Sequence, residues 1–68
     1  MSVEIRYEPL TDQWEITEIG LTRGFRNTKA EAVAEGRRIA RDRDARLIIR
    51  KKNGTITESR DFGPTNGW

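Results

Sequence analysis

One stretch of helical period lies between segments that alternate every second residue, and this arrangement constrains the chain more than any other feature. Thr28 and Glu31 stand at the spacing of a capping box, in which each side chain satisfies a backbone donor at the other position. Ala32, Val33, Gly36, Ile39 and Ala40 then recur at helical spacing and form one narrow apolar stripe. Small residues in that stripe let the helix axis lie close to whatever it covers. Gly36 costs roughly 1 kcal/mol of helix propensity relative to Ala, so close approach is the reason to place it there. The pattern predicts a helix ending near Asp44.

The flanks read as strands. Val3, Ile5 and Tyr7 alternate with polar residues, Pro9 to Asp12 supplies a turn, and Trp14 and Ile16 resume the alternation. This predicts an antiparallel hairpin. Between Ile19 and Arg26, Gly20 and Gly24 bracket Leu21, and Phe25 follows. The segment is read as a bulged extension of the second strand or a packed loop, in preference to a separate strand. Phe25, just before the cap, is expected to close the end of the core.

Leu47, Ile48 and Ile49 begin another strand, and Asn53-Gly54 signals a two-residue turn because both residues accept positive φ. That turn sets Ile49 opposite Glu58 and Lys51 opposite Ile56. Leu47, Ile49 and Ile56 are then expected on the buried face, with Ile48, Arg50, Lys52, Thr55, Thr57 and Ser59 on the other. The expected architecture is α+β, in the order β-β-α-β-β, with one helix packed on one face of an antiparallel sheet. It forms a single domain over residues 1–63, followed by a flexible C-terminal tail over 64–68 that includes Trp68.

These elements resemble a bacterial and archaeal group of small proteins, the domain-of-unknown-function family 2188. The resemblance runs from about Ile5 to Gly63. It rests on Trp14, the run Thr28-Lys29-Ala30-Glu31-Ala32, the Arg-rich helix end, Leu47-Ile48-Ile49, the Asn53-Gly54 turn, Ile56 and the pair Phe62-Gly63. It implies the fold and transfers no biochemical role.

The chemistry available is narrow. The 68 residues include no Cys and no His, which removes disulfides, thiolate metal sites and the commonest general base. Asp61-Phe62-Gly63 reproduces the letters of a kinase metal-binding motif without the rest of a kinase, and reads as a strand exit. Asn53-Gly54-Thr55 has the form of a glycosylation sequon but falls in a tight turn. No catalytic, cofactor-binding or metal-binding residues are assigned, and the chain is expected to be no enzyme and to need no cofactor. No apolar run approaches the roughly 20 residues of a membrane span, and the N-terminus lacks the features of a secretory signal. A cytoplasmic protein with no membrane partner and no small-molecule substrate is expected.

Charge is segregated. Between Arg37 and Lys52 there are eight cations against two anions, whereas the first 18 residues carry five carboxylates against Arg6 alone. Such segregation bears on partner choice rather than fold. The first functional expectation is a non-enzymatic binding module that contacts nucleic acid or another anion through Arg37, Arg41, Arg50, Lys51 and Lys52. The alternative is a homodimeric interaction or accessory module without nucleic-acid binding, in which the acidic first hairpin of one chain meets the basic second hairpin of another.

Overall fold

The computed structural model describes residues 2–63; the tail expected over 64–68, Trp68 included, lies outside the described residues. Strands β1 (Ser2–Glu8) and β2 (Gln13–Glu18) form the first hairpin. Ile5 stands opposite Ile16 and Tyr7 opposite Trp14, so the apolar parities of both strands share one face. That face is the floor of the core: Val3, Ile5, Trp14 and Ile16 are all buried.

Residues Leu21–Arg26 form a separate strand, β3, antiparallel to β2 and irregular between Ile16 and Thr17. This corrects the reading of the segment as a bulged extension or loop. The turn before it joins Ile19 (φ 51) to Gly20 (φ 78), with Glu18 paired to Leu21. Two successive residues at positive φ make the tight hairpin turn that suits strand twist. Ile is an unusual occupant of that conformation, so the turn is hidden in the sequence. Phe25 does not close the core. It pairs with Glu15 on the face away from the helix and is 41% exposed.

Helix α1 (Lys29–Asp42) begins where expected, with the Thr28 hydroxyl accepting the Glu31 N–H at 3.1 Å. The Glu31 carboxylate accepts from the Thr28 hydroxyl rather than from its backbone N–H, so half of the capping box is made. At the other end Asp44 takes φ 51, its N–H bonds the Arg41 carbonyl, and Ala45 N–H bonds the Ala40 carbonyl at 2.8 Å. This is a Schellman termination with Asp44 in the left-handed position usually given to Gly. Ala32, Gly36, Ile39 and Ala40 are buried, and Val33 lies at the stripe margin. A Cβ at Gly36 would lie 2.5 Å from Ile5 Cδ1 and 3.3 Å from Leu47 Cδ1. The axis therefore approaches the sheet as closely as the small residues imply.

Strands β4 (Arg46–Arg50) and β5 (Ile56–Asp61) complete a five-stranded sheet in the order β3-β2-β1-β4-β5. The expected α+β class and the helix covering one face hold. The order is β-β-β-α-β-β, however, and the sheet is mixed, because β1 and β4 run parallel in register Val3 to Leu47 and Ile5 to Ile49. The extra strand causes this. An odd number of strands before the helix reverses the direction in which the chain re-enters the sheet beside β1.

The second hairpin departs from expectation in a compensated way. Lys51 carbonyl accepts from Gly54 N–H and Lys51 N–H bonds the Thr55 carbonyl, leaving a three-residue loop, Lys52 to Gly54, with Gly54 at φ 91. Asn53 is not at positive φ; its side-chain oxygen instead accepts the Thr55 N–H. The pairing sets Arg50 opposite Ile56 and Ile49 opposite Glu58, so Thr57 is the extra residue of a bulge, with its hydroxyl on the Ile49 carbonyl. The loop adds one residue and the bulge absorbs it. The Ile49–Glu58 pairing is the one expected, but Ile56 moves to the open face and is 48% exposed.

Candidate functional site

The basic segment is largely neutralised within the chain. On the open face of the sheet, Arg50 Nε donates to Glu4 at 3.2 Å and Arg50 Nη1 to the Gly54 carbonyl at 3.0 Å. Beside them lie Arg6–Glu15 at 3.8 Å and Arg46–Asp61 at 3.6 Å. These are cross-strand pairs on one face of the sheet, as its registers dictate. On the helix side, Arg43 and Arg23 approach Glu18 from opposite ends at 3.6 and 3.7 Å. Arg38 bonds Glu35 and reaches Asp42 at 4.0 Å. The parallel β1–β4 contact thus brings the acidic hairpin and the basic hairpin together in one molecule. Arg50–Glu4 is the pair that joins the two hairpins, whereas Arg6–Glu15 and Arg46–Asp61 each lie within one of them.

The five candidate contact residues divide into two groups. Arg37 and Arg41 flank the helix and line a shallow cleft of about 570 Å³ with Ala34, Arg38 and Asp42. Arg37 Nη2 reaches Glu58 at 4.0 Å, and the Arg41 guanidinium lies 5.5 Å from the Phe62 ring centre. Arg50, Lys51 and Lys52 line a different cleft, of about 460 Å³, beside the β4–β5 turn. Its other walls are Glu4, Arg6, Tyr7, Asn53 and Gly54.

The turn-end cleft is the more developed of the two. β1 extends past its pairing with β4, and this overhang carries Arg6 and Tyr7 alongside the turn. Lys52 Nζ sits 4.9 Å over the Tyr7 ring, Tyr7 packs 5.3 Å from Trp14, and Lys29 Nζ sits 5.4 Å over Trp14. Two aromatics in contact therefore carry a cation at each end. The Tyr7 hydroxyl donates to Asp12 at 2.5 Å, and that bond to a carboxylate raises the phenol above its ordinary value. Among the described residues Lys51 makes no ion pair, and Glu4, the cleft's one carboxylate, is already held by Arg50.

Sequence reasoning missed Arg6 and Tyr7 as walls of this cleft. The signal was present in the alternation of β1, but using it required knowing that β1 and β4 are neighbours. The strand-exit reading of Asp61-Phe62-Gly63 agrees with the structure: β5 ends at Asp61, whose carboxylate accepts the Gly63 N–H at 2.8 Å. No helix among the described residues is long and apolar enough to cross a membrane.

Comparison with curated proteins and with solved structures yields no match. A family model does match, over residues 5–62, which runs from the middle of β1 through Phe62. The chain belongs to the family described as "Uncharacterized protein conserved in bacteria (DUF2188)".

Proposed function

We propose that this domain is a non-enzymatic binding module that contacts an anionic polymer, nucleic acid foremost, through the end of the β4–β5 hairpin. The carrying observation is the cleft lined by Arg6, Arg50, Lys51, Lys52 and Tyr7 with the single carboxylate of Glu4, in which Lys52 sits over the Tyr7 ring. Lys51 and Lys52 are exposed and free of carboxylate partners among the described residues, so phosphate contact does not require an ion pair to break. Arg50 is bound to Glu4 and Gly54, and it serves to fix the turn that presents the two lysines. Arg37 and Arg41 occupy the other cleft and form a secondary contact at most. The cleft's one carboxylate, Glu4, is held by Arg50, and the 68 residues include no His or Cys, which favours a binding role over acid–base or nucleophilic chemistry.

Fluorescence anisotropy with labelled single-stranded and duplex oligonucleotides at low salt tests this reading. Binding is expected to fall as salt rises, with a slope of about two to four released counterions. Lys51→Glu with Lys52→Glu abolishes it, while Arg37→Gln changes it little. Absence of binding at low salt, or equal loss in the Arg37 variant, contradicts the reading. The alternative is a homodimeric module without nucleic-acid binding, in which the acidic first hairpin of one chain meets the basic second hairpin of another.

A further inference from the structure

The two edges of the sheet are not alike. β3 carries two like charges, Arg23 and Arg26, and its bulge at Arg23 interrupts the middle of the strand, whereas the bulge of β5 falls at its second residue and leaves Glu58 to Asp61 regular. Both features of β3 discourage pairing with another strand. β5 has all six residues exposed; the helix backbone packs across β1 to β4 and stops short of it, while the Arg37 side chain reaches Glu58 at 4.0 Å. Phe62 N–H bonds the Ala45 carbonyl, so by strand alternation the main-chain groups of Arg60 and Glu58 also face β4. Those of Ser59 and Asp61 face outward, with no strand beyond them among the described residues.

We infer that β5 is a homotypic docking edge, at which a second copy of this chain pairs antiparallel about a two-fold axis through Ser59. The register follows from charge. With Ser59 on the axis, the two Ser59 residues exchange both of their main-chain hydrogen bonds. Glu58 of each copy then falls opposite Arg60 of the other, twice by symmetry. These are non-hydrogen-bonded pairs, in which facing side chains come closest. The neighbouring two-fold registers are worse. An axis at Glu58 sets Glu58 against itself, one at Arg60 sets Arg60 against itself, and one at Asp61 sets Asp61 against itself. The bulge at Thr57 limits pairing to the segment around Ser59, so the dimer is weak and reversible. This inference is independent of the anion-binding reading, because the hairpin turn that carries Lys51 and Lys52 lies beyond the paired segment.

Sedimentation of the full chain from about 10 to about 500 µM tests it, over the range in which small interfaces associate. The mass is expected to rise from monomer to dimer. Ser59→Pro removes an outward N–H that the β4 ladder does not use and is tolerable on an edge strand; it is expected to weaken the dimer by about tenfold or more. Glu58→Arg has the same effect by opposing Arg60 of the second copy, and Glu58→Arg with Arg60→Glu restores the dimer. If the proline variant does not fold, the charge swap decides alone. A monomer at every concentration, a dimer indifferent to Glu58→Arg, or a swapped variant that stays monomeric overturns the inference. Oligonucleotide binding in the Ser59→Pro chain keeps failure here separate from failure of the cleft.

Discussion

β4 and β5 are two arms of one hairpin, yet they answer to different constraints. On β4, Leu47 and Ile49 are buried beneath the helix, Leu47 completely. On β5, the residues opposite them are Arg60 and Glu58, and every residue of the strand is exposed. The core therefore ends one strand before the sheet does. What holds β5 is main-chain pairing, the Arg46–Asp61 and Arg37–Glu58 pairs and the seat of Phe62, whose ring centre lies 5.5 Å from the Arg41 and 5.0 Å from the Arg60 guanidinium and which packs on the core margin. Exposed ion pairs contribute little stability, about 0–1 kcal/mol each. A strand kept in place this lightly, with charges that mirror one another across Ser59, is suited to contact and contributes little to the core.

Substitutions at matched positions break or sharpen this contrast. The largest effect belongs to β4: Leu47→Ala opens a cavity under Gly36 and is expected to cost about 2–5 kcal/mol, read from the urea midpoint at unchanged m. On β5, Ile56→Ala is expected to cost no more than about 1 kcal/mol, since Ile56 loses little buried area. Comparable losses at the two sites would mean that the core extends over β5. An effect of the opposite sign is expected in the hidden turn. Ile19 is 63% exposed and sits at φ 51, so Ile19→Asn gives up little burial and relieves the left-handed backbone. It should stabilise by about 1 kcal/mol, a rise of about 4–8 °C in Tm for a domain of this size.

The same contrast explains how far the sequence could be read. Where burial sets the pattern, alternation and helical period were sufficient. Val3, Ile5, Trp14 and Ile16 on the first hairpin and Ala32, Gly36, Ile39 and Ala40 on the helix are buried as their spacing requires. Where main-chain geometry sets the pattern, composition was silent or misleading. The Ile19-Gly20 turn has Gly at its second position but Ile where Asn or Asp usually announces it, so β3 was missed and the parallel β1–β4 contact with it. At Asn53-Gly54 the signal was correct for a turn and incorrect for its type, and Ile56 changed face as a result. The cleft shows the same limit. Lys51 and Lys52 were legible as cations, but Arg6 and Tyr7 join them only because two strands remote in sequence are neighbours. Arg37, Arg43 and Arg50 lost their apparent availability to Glu58, Glu18 and Glu4, carboxylates remote in sequence, while Arg38 pairs locally on the helix and Arg46 within its own hairpin.

The contrast between the two arms rests on β5 being an uncovered edge, and amide hydrogen exchange at two protein concentrations tests its inferred pairing with a second copy most directly. In dilute protein, the Glu58 and Arg60 amides should be protected and the Ser59 amide should exchange freely. At high concentration the Ser59 amide should become protected while Glu58 and Arg60 change little. A Ser59 amide that is protected at every dilution, or that exchanges freely at every concentration, would contradict the account.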